Sequence, residues 1–225
     1  MNNKKIIYKN PIQIVFGGCG GLYSYYMGFV HVLQQYIDFK NIIFSGTSAG
    51  SFIGLCCALD LNMEYIFKYH NMQILEKLEQ TYTGPYFNWY NIYYSQILSF
   101  LKKDDYKKLN NRFSYSITEF PSLKNKIIYQ WDSNEDLVNG LIASGYIPIY
   151  GTSLFKTYRN KYCIDGSISN KKPLLYNNIP HISITIDKYR KFNKIDYLII
   201  SNKDFHYKLF NYGMKDALDN IKDFL

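Results

Sequence analysis

Two short apolar blocks, Ile12 to Phe16 and Ile42 to Phe44, each run straight into a glycine-rich turn. Behind each turn the apolar positions change period. Phe29, Val32, Leu33, Tyr36 and Ile37 share one helical face, and Phe52, Leu55, Cys56 and Leu59 share another. Short, mainly apolar runs of that length suit buried strands, and the helical spacing suits a helix with one apolar stripe. Strand, helix, strand, helix predicts a right-handed crossover and a parallel pair in an α/β sheet.

The pattern continues less regularly. Met63 to Leu78 predicts a helix. Gly84-Pro85 breaks the chain, and helical character returns from Ile92 to Leu101. Phe113 to Thr118 and Lys126 to Trp131 predict two strands joined by a turn around Pro121. Ser133-Asn134-Glu135-Asp136 has the form of a capping box, and the helix it opens should stop at Gly145, ahead of Pro148. Lys161 to Ile164, His181 to Ile186 and Tyr197 to Ile200 are further strand candidates. Phe205 to Leu225 predicts an amphipathic helix. No internal repeat or low-complexity linker divides the 225 residues, so the expectation is one domain spanning 1–225.

Charge and cysteines add compartment and partner. The net charge of +8 favours attraction to anionic surfaces such as phospholipid headgroups or nucleic acid. The basic residues are dispersed (Lys102, Lys103, Lys107 and Lys108; Lys188, Arg190, Lys191 and Lys194), which fits solvated faces and gives no nucleic-acid-binding run. Cys19, Cys56, Cys57 and Cys163 match no metal or redox spacing. They read as buried thiols in a cytoplasmic protein, with no metal and no cofactor expected. Lys4, Lys5 and Lys9 precede an apolar run too short for a signal peptide. Asn10 to Ile37 contains no charged residue, but glycines and glutamines interrupt it, whereas a spanning helix needs ~20 mostly apolar residues.

The candidate chemistry sits in the two turns. Gly46-Thr47-Ser48-Ala49-Gly50 is a G-x-S-x-G pattern between a strand and a helix, the setting of a nucleophile elbow. Gly46 and Gly50 would allow the tight turn, and Ser48 would stand at the positive end of the following helix. The same serine would also suit a simple helix N-cap. The first turn, Gly18-Cys19-Gly20-Gly21, could present several backbone N–H groups to an oxyanion. A dinucleotide fingerprint would need glycine at position 23, where Tyr23 stands, and an acidic residue after the second strand; a Walker loop would need Gly-Lys-Ser/Thr. All three are missing.

A nucleophilic serine needs a base. His181 and His206 would satisfy a Ser–Asp–His chain order, though neither has a local signature; His31 lies inside a predicted helix and His70 in a polar stretch. Asp165 ends a short strand immediately before Gly166, where a carboxylate could face the tops of neighbouring strands or serve an ordinary Asp-Gly turn.

Taken in order, these motifs resemble the patatin-like phospholipases, and most of all the branch containing adipose triglyceride lipase and adiponutrin. The resemblance rests on Gly18-Cys19-Gly20 with Leu22, Tyr25, Tyr26 and Gly28, on Gly46 to Gly50, on Ala143-Ser144 with Ile147-Pro148, and on Asp165-Gly166-Ser167. It implies a three-layer α/β fold, with a mostly parallel sheet and helices on both faces. It also implies a Ser48–Asp165 dyad without histidine and an oxyanion hole at Gly18 to Gly21. The implied activity is hydrolysis of phospholipid or acylglycerol esters. The alternatives are a Ser–Asp–His esterase and a catalytically weak lipid-binding protein of the same fold. Two departures stand out: Tyr23 replaces the last glycine of the loop, and the loop carries no Arg or Lys.

Tyr86 to Tyr94, with Ile97, Leu98, Phe100 and Leu101 and then Lys102-Lys103, is aromatic with a basic edge. It suits either peripheral contact with a lipid surface or packing on the core.

Overall fold

A computed structural model describes residues 5–225; Lys4 of the basic N-terminal group lies outside the described residues. The chain begins with strand β1 (Ile12–Phe16), helix α1 (Tyr23–Tyr36), strand β2 (Ile42–Thr47) and helix α2 (Ala49–Ala58). Then come α3 (Met63–Tyr65), a π-helical turn (Ile66–Asn71), α4 (Met72–Glu79), α5 (Trp89–Phe100) and α6 (Asp105–Lys108). The hairpin β3 (Phe113–Phe120) and β4 (Lys124–Ile128) is followed by α7 (Asn134–Ser144), β5 (Lys156–Tyr158) and β6 (Lys161–Ile164). Strand β7 (His181–Ile184), α8 (Ile186–Tyr189) and α9 (Lys203–Asp219) complete the fold.

The seven strands form one sheet flanked by helices. Strands β3, β2, β1 and β7 are consecutive neighbours and parallel, while β4, β5 and β6 pair antiparallel. Helix α2 lies across β1, β2 and β3, and α7 lies against β3, β5 and β6. Alternation along the inner strands explains the layering. Ile14, Phe16, Phe44, Phe113 and Tyr115 are fully buried on one face. The intervening Ser45, Thr47, Ser114 and Ser116 are also buried, and their hydroxyls pair laterally, Ser45 with Ser114 at 2.8 Å and Ser116 with Thr47 at 2.9 Å. Those pairs satisfy polar groups that would otherwise be costly to bury.

Strand β3 has an unusual edge. Residues Tyr115 to Glu119 pair with β4 on one side. On the other side Phe113 to Ser116 pair with β2, and Thr118 to Phe120 pair with β6. The parallel strand β2 therefore climbs half of that edge, and the antiparallel β6 descends the other half toward it. Only Ile117 separates the two pairings.

Helices α1 and α9 touch backbone to backbone. A Cβ on Gly28 would overlap the Phe210 carbonyl, and one on Gly213 would overlap the Tyr25 carbonyl. Asp216 on α9 accepts from Tyr25 Oη at 2.8 Å and from Arg190 Nε and Nη2 at 2.8 and 2.7 Å, a charged fork beside the contact.

Several boundaries differ from the sequence pattern. Tyr197 to Ile200 forms no strand. Asn193 and Asp196 make a reciprocal capping box that winds Lys194–Leu198 into a short 3-10 turn, and this segment packs over the first glycine turn instead of joining the sheet. The expected strand at Lys126 to Trp131 lies at Lys124–Ile128, because Trp131 turns into the core and donates to Tyr115 Oη at 2.8 Å. The predicted helix from Met63 contains a π-helical turn, and β5 had no recognisable pattern at all.

Substituting Gly28→Ala should lower the free energy of unfolding by about 3 kcal/mol, since the clash is with backbone that cannot swing away. Gly84→Ala, at φ 58° with nothing within 4 Å, should lower it by about 1 kcal/mol. Urea unfolding of both variants checks the order; equal midpoints would refute the close helix contact.

Candidate active site

Ser48 occupies the turn between β2 and α2 at φ 54° and ψ −137°, a conformation that costs a non-glycine residue on the order of 1–3 kcal/mol. Its neighbours hold it there. A side chain at Gly46 would collide with the backbone of Gly50 and Ser51, so the turn closes only with glycine. The Ser48 amide donates to Ser144 Oγ at 3.1 Å, and Ser51 Oγ donates to the Ser48 carbonyl at 2.6 Å. The Ser48 side chain makes no capping bond to α2, so the helix-cap alternative does not describe it. Instead its Oγ donates to Asp165 Oδ2 at 2.6 Å, across 117 positions of sequence.

Asp165 is placed by the shared edge of β3. It follows β6 directly, its carbonyl accepts from Thr118 Oγ1 at 2.8 Å, and its amide donates to the Tyr146 carbonyl at 3.1 Å. Oδ1 accepts from the Ser167 amide at 2.8 Å and from Ser167 Oγ at 2.6 Å, which leaves Oδ2 for Ser48. Asp165 thus also fills the Asp-Gly turn role, with its other oxygen. Ser48 is 7% exposed and Asp165 5%. Burial pushes the Asp165 carboxyl above its ordinary range, and the donors from Ser167 and Ser48 oppose that shift.

The first glycine turn crosses both residues. A Cβ on Gly18 would lie 3.1 Å from Ser167 Cβ and 3.3 Å from Ser48 Cβ. Cys19 is buried, and its thiol is pushed well up by burial and by the nearby Asp165 charge, so it stays neutral. Gly20 and Gly21 abut the carbonyls of Tyr197 and Ile199. Gly166 lies against the Ser116 backbone with no room for a side chain. The sequence-predicted residues Gly18, Gly46, Ser48, Gly50, Asp165, Gly166 and Ser167 are therefore gathered at one end of the parallel strands.

Neither histidine of the Ser–Asp–His alternative reaches Ser48. His206 is buried with both ring nitrogens engaged, Nε2 with the Ile200 carbonyl at 3.0 Å and Nδ1 with Ser24 Oγ at 2.7 Å. The carbonyl can only accept, so Nε2 carries the proton and Nδ1 receives the Ser24 hydroxyl. Burial lowers its pKa to about 4. His181 starts β7 in register with Gln13 and hence with Ile43, at the far end of the sheet from Ser48.

Ser48 opens into an apolar pocket of about 830 Å³, mouth included. Helix α5 forms one wall with Trp89, Tyr93, Ile97 and Phe100, and Leu141 and Ile142 of α7 form another. The part of the aromatic stretch on α5 thus packs inward, while Tyr86 and Phe87 at its start remain exposed. Sequence reasoning missed the part played by Ser144, which anchors the elbow. It also missed Tyr90, whose hydroxyl accepts from the Ile147 amide at 2.6 Å and donates to the Gly145 carbonyl at 2.9 Å. Tyr90 ties α5 to the loop behind Ser48; nothing local in the sequence marks that contact.

Fold and site together define an α/β protein with a serine at a strand–helix elbow bonded to a buried aspartate beneath a glycine turn. The patatin-like phospholipase family model matches residues 14–178, and the chain belongs to that family. The chain is 26% identical to the omega-hydroxyceramide transacylase of Mus musculus, over 94% of its own length and 36% of that protein's. It is 26% identical to patatin-like phospholipase domain-containing protein 2 of Homo sapiens, over 72% of its own length and 33% of the relative's. It therefore spans about a third of these two relatives. Among solved structures, VipD from Legionella pneumophila shares the fold, with a TM-score of 0.50 at 12% identity over 78% of this chain and 50% of that one. Among the described residues, no helix is long and apolar enough to cross a membrane.

The Asp165 carboxyl should titrate above the ~3.9 of a free aspartate, and further above it in Ser167→Ala, which removes a donor to the charged form. A raised folded-state pKa means that stability present below the unfolded pKa is lost as pH rises through the folded one. Asp165→Asn should therefore match or exceed the wild-type Tm at pH 8, with the difference shrinking in acid. Carbon-13 NMR titration and thermal melts check both; an inflection at or below the free value would refute the desolvated carboxylate.

Proposed function

We propose that this chain is a lipid acyl hydrolase that cleaves carboxylic esters of phospholipids or acylglycerols through Ser48 and Asp165. The observation that carries the reading is the 2.6 Å Ser48–Asp165 hydrogen bond at the wall of an apolar pocket. Family membership supports the same reaction class.

Asp165 takes the Ser48 proton as Oγ attacks the ester carbonyl. The ordinary objection is that aspartate is too weak a base. Burial answers it, because a carboxyl raised by desolvation is a better proton acceptor. The backbone N–H groups of Gly18 to Gly21 are the proposed oxyanion donors, and each such donor is worth ~10²–10³ in rate. As the tetrahedral intermediate collapses, Asp165 returns the proton to the departing alcohol. Water then attacks the acyl-enzyme, giving its proton to Asp165, and Ser48 leaves as the hydroxyl. The apolar walls receive the acyl chain. Exposed Tyr86 and Phe87, together with the net positive charge, support peripheral contact with an anionic lipid surface.

The Ser–Asp–His alternative would need His181 or His206 at the serine. One is at the opposite end of the sheet, and the other is held by Ser24 and Ile200. Its pKa of about 4 also leaves it a poor base.

Ser48→Ala and Asp165→Asn should each reduce hydrolysis of p-nitrophenyl butyrate by about 10³-fold or more. The His181→Ala, His206→Asn double variant should keep the activity that its folded fraction allows. In wild type, kcat/KM should fall in acid with the raised Asp165 pKa, at higher pH in Ser167→Ala. Full activity without Ser48 would refute the enzymatic reading; no activity in a folded wild type would favour the lipid-binding alternative.

A further inference from the structure

The pocket is mostly apolar, and one of its polar side chains has no partner. Tyr23, the residue that departs from the glycine fingerprint, lines it with its ring 4.9 Å from His206 and 6.1 Å from Trp89. Tyr23 is 6% exposed, and its hydroxyl is buried without a hydrogen-bond partner. Among the described residues three other buried side-chain atoms share that condition, on Arg112, Ser183 and Tyr189, and none of these lines this pocket. An unpaired buried hydroxyl costs about 1–3 kcal/mol, and a phenylalanine would have avoided it.

A second observation comes from another element. The π-helical turn Ile66–Asn71 brings His70 and Asn71 to the pocket, where Gln96 of α5 joins them. Single π turns recur at functional sites because they re-aim side chains out of helical register. The amide N–H groups here are used within the wall: Asn71 donates to Ser24 Oγ at 3.2 Å, and Gln96 donates to His70 Nδ1 at 2.9 Å and Gln73 Oε1 at 3.2 Å. That leaves the Asn71 and Gln96 carbonyl oxygens as acceptors. Asn71 is linked to the Tyr23 neighbourhood through Ser24, which donates to the His206 ring packed against Tyr23.

We propose that Tyr23, Asn71 and Gln96 form a polar subsite in the acyl pocket that recognises a hydroxyl group on the substrate's fatty acyl chain. A hydroxyl both accepts and donates: it would accept from Tyr23 Oη and donate to an amide oxygen of Asn71 or Gln96. A plain alkyl chain in the same place would leave the Tyr23 hydroxyl as unpaired as it already is, and would cover the amide oxygens without giving them a partner. Discrimination therefore comes from both sides, a bond gained by the hydroxylated chain and a desolvation penalty for the plain one. The glycine usual at this position could supply no such donor.

The proposal rests on the pocket's role as acyl site, but its test does not require turnover. Trp89 stands in the pocket wall beside Tyr23, whereas Trp131 is buried in the core and gives a constant background. Quenching of tryptophan fluorescence in full-length Ser48→Ala is measured with ricinoleate against oleate, and with ω-hydroxypalmitate against palmitate. At least one hydroxylated acid should bind about tenfold tighter than its plain partner, the yield of one added hydrogen bond. Adding Tyr23→Phe, which deletes only the unpartnered hydroxyl, should bring that ratio close to one. Equal affinity within both pairs would overturn the proposal without any variant, as would a ratio that survives Tyr23→Phe in a protein with a wild-type circular dichroism spectrum. If binding discriminates while wild type cleaves no ester, the proposed function fails and the subsite stands. If wild type cleaves esters but binding shows no hydroxyl preference, the subsite fails and the proposed function stands.

Discussion

One edge of β3 carries two strands end to end, and the site depends on that arrangement. Strand β2 delivers Ser48 from below and β6 delivers Asp165 from above, because Ser116 holds the last paired residue of one and Thr118 that of the other. A carboxylate at the end of an antiparallel strand thus meets a serine at the end of a parallel one. The meeting point is fixed by backbone ladders, so neither side chain has to search for the other. Side-chain bonds from Ser144, Thr118 and Ser167 then lock the two turns in place.

That geometry has an energetic consequence. Both turns are driven into a dry region where the carboxylate is poorly solvated and Ser48 is held at positive φ. The fold carries these costs through the buried contacts around them, chiefly the packing of α2 across three strands and of α1 along α9. A desolvated carboxylate is a stability liability and a stronger base for the same reason, so a function that uses the aspartate as a base would explain why the cost persists.

Beyond Ser48, Ala49 and Phe52 at the elbow, the pocket is built from different parts of the chain from the Ser–Asp pair. Its walls come from α5, α7 and the π-helical turn, with Tyr23 at the start of α1. Tyr90 joins the two systems by bridging α5 to the loop that follows α7. Changes in the walls can therefore reshape the pocket while leaving the two turns as they are, which is the division expected where loops and peripheral helices are grafted on a rigid sheet.

Local chemistry determined a good deal of this protein from the sequence alone. Apolar runs ending in glycine placed β1, β2 and both turns. Gly46, Ser48 and Gly50 marked the elbow, and Asp165 stood out by its position at a strand end. Each signal lies within a few residues, where propensity and sterics act directly. Other features carried no such mark. Tyr197 to Ile200 has the composition of a strand, but a capping box and contact with the glycine turn fold it otherwise. The aromatic stretch before Lys102 could have faced lipid or core, and only packing against Tyr23 and Phe52 turned it inward. The 2.6 Å approach of Ser48 to Asp165, the unpartnered Tyr23 hydroxyl and the anchoring by Ser144 are all contacts between residues distant in the chain. Register, burial and the shared edge of β3 decide such contacts, and those exist only once the sheet has formed.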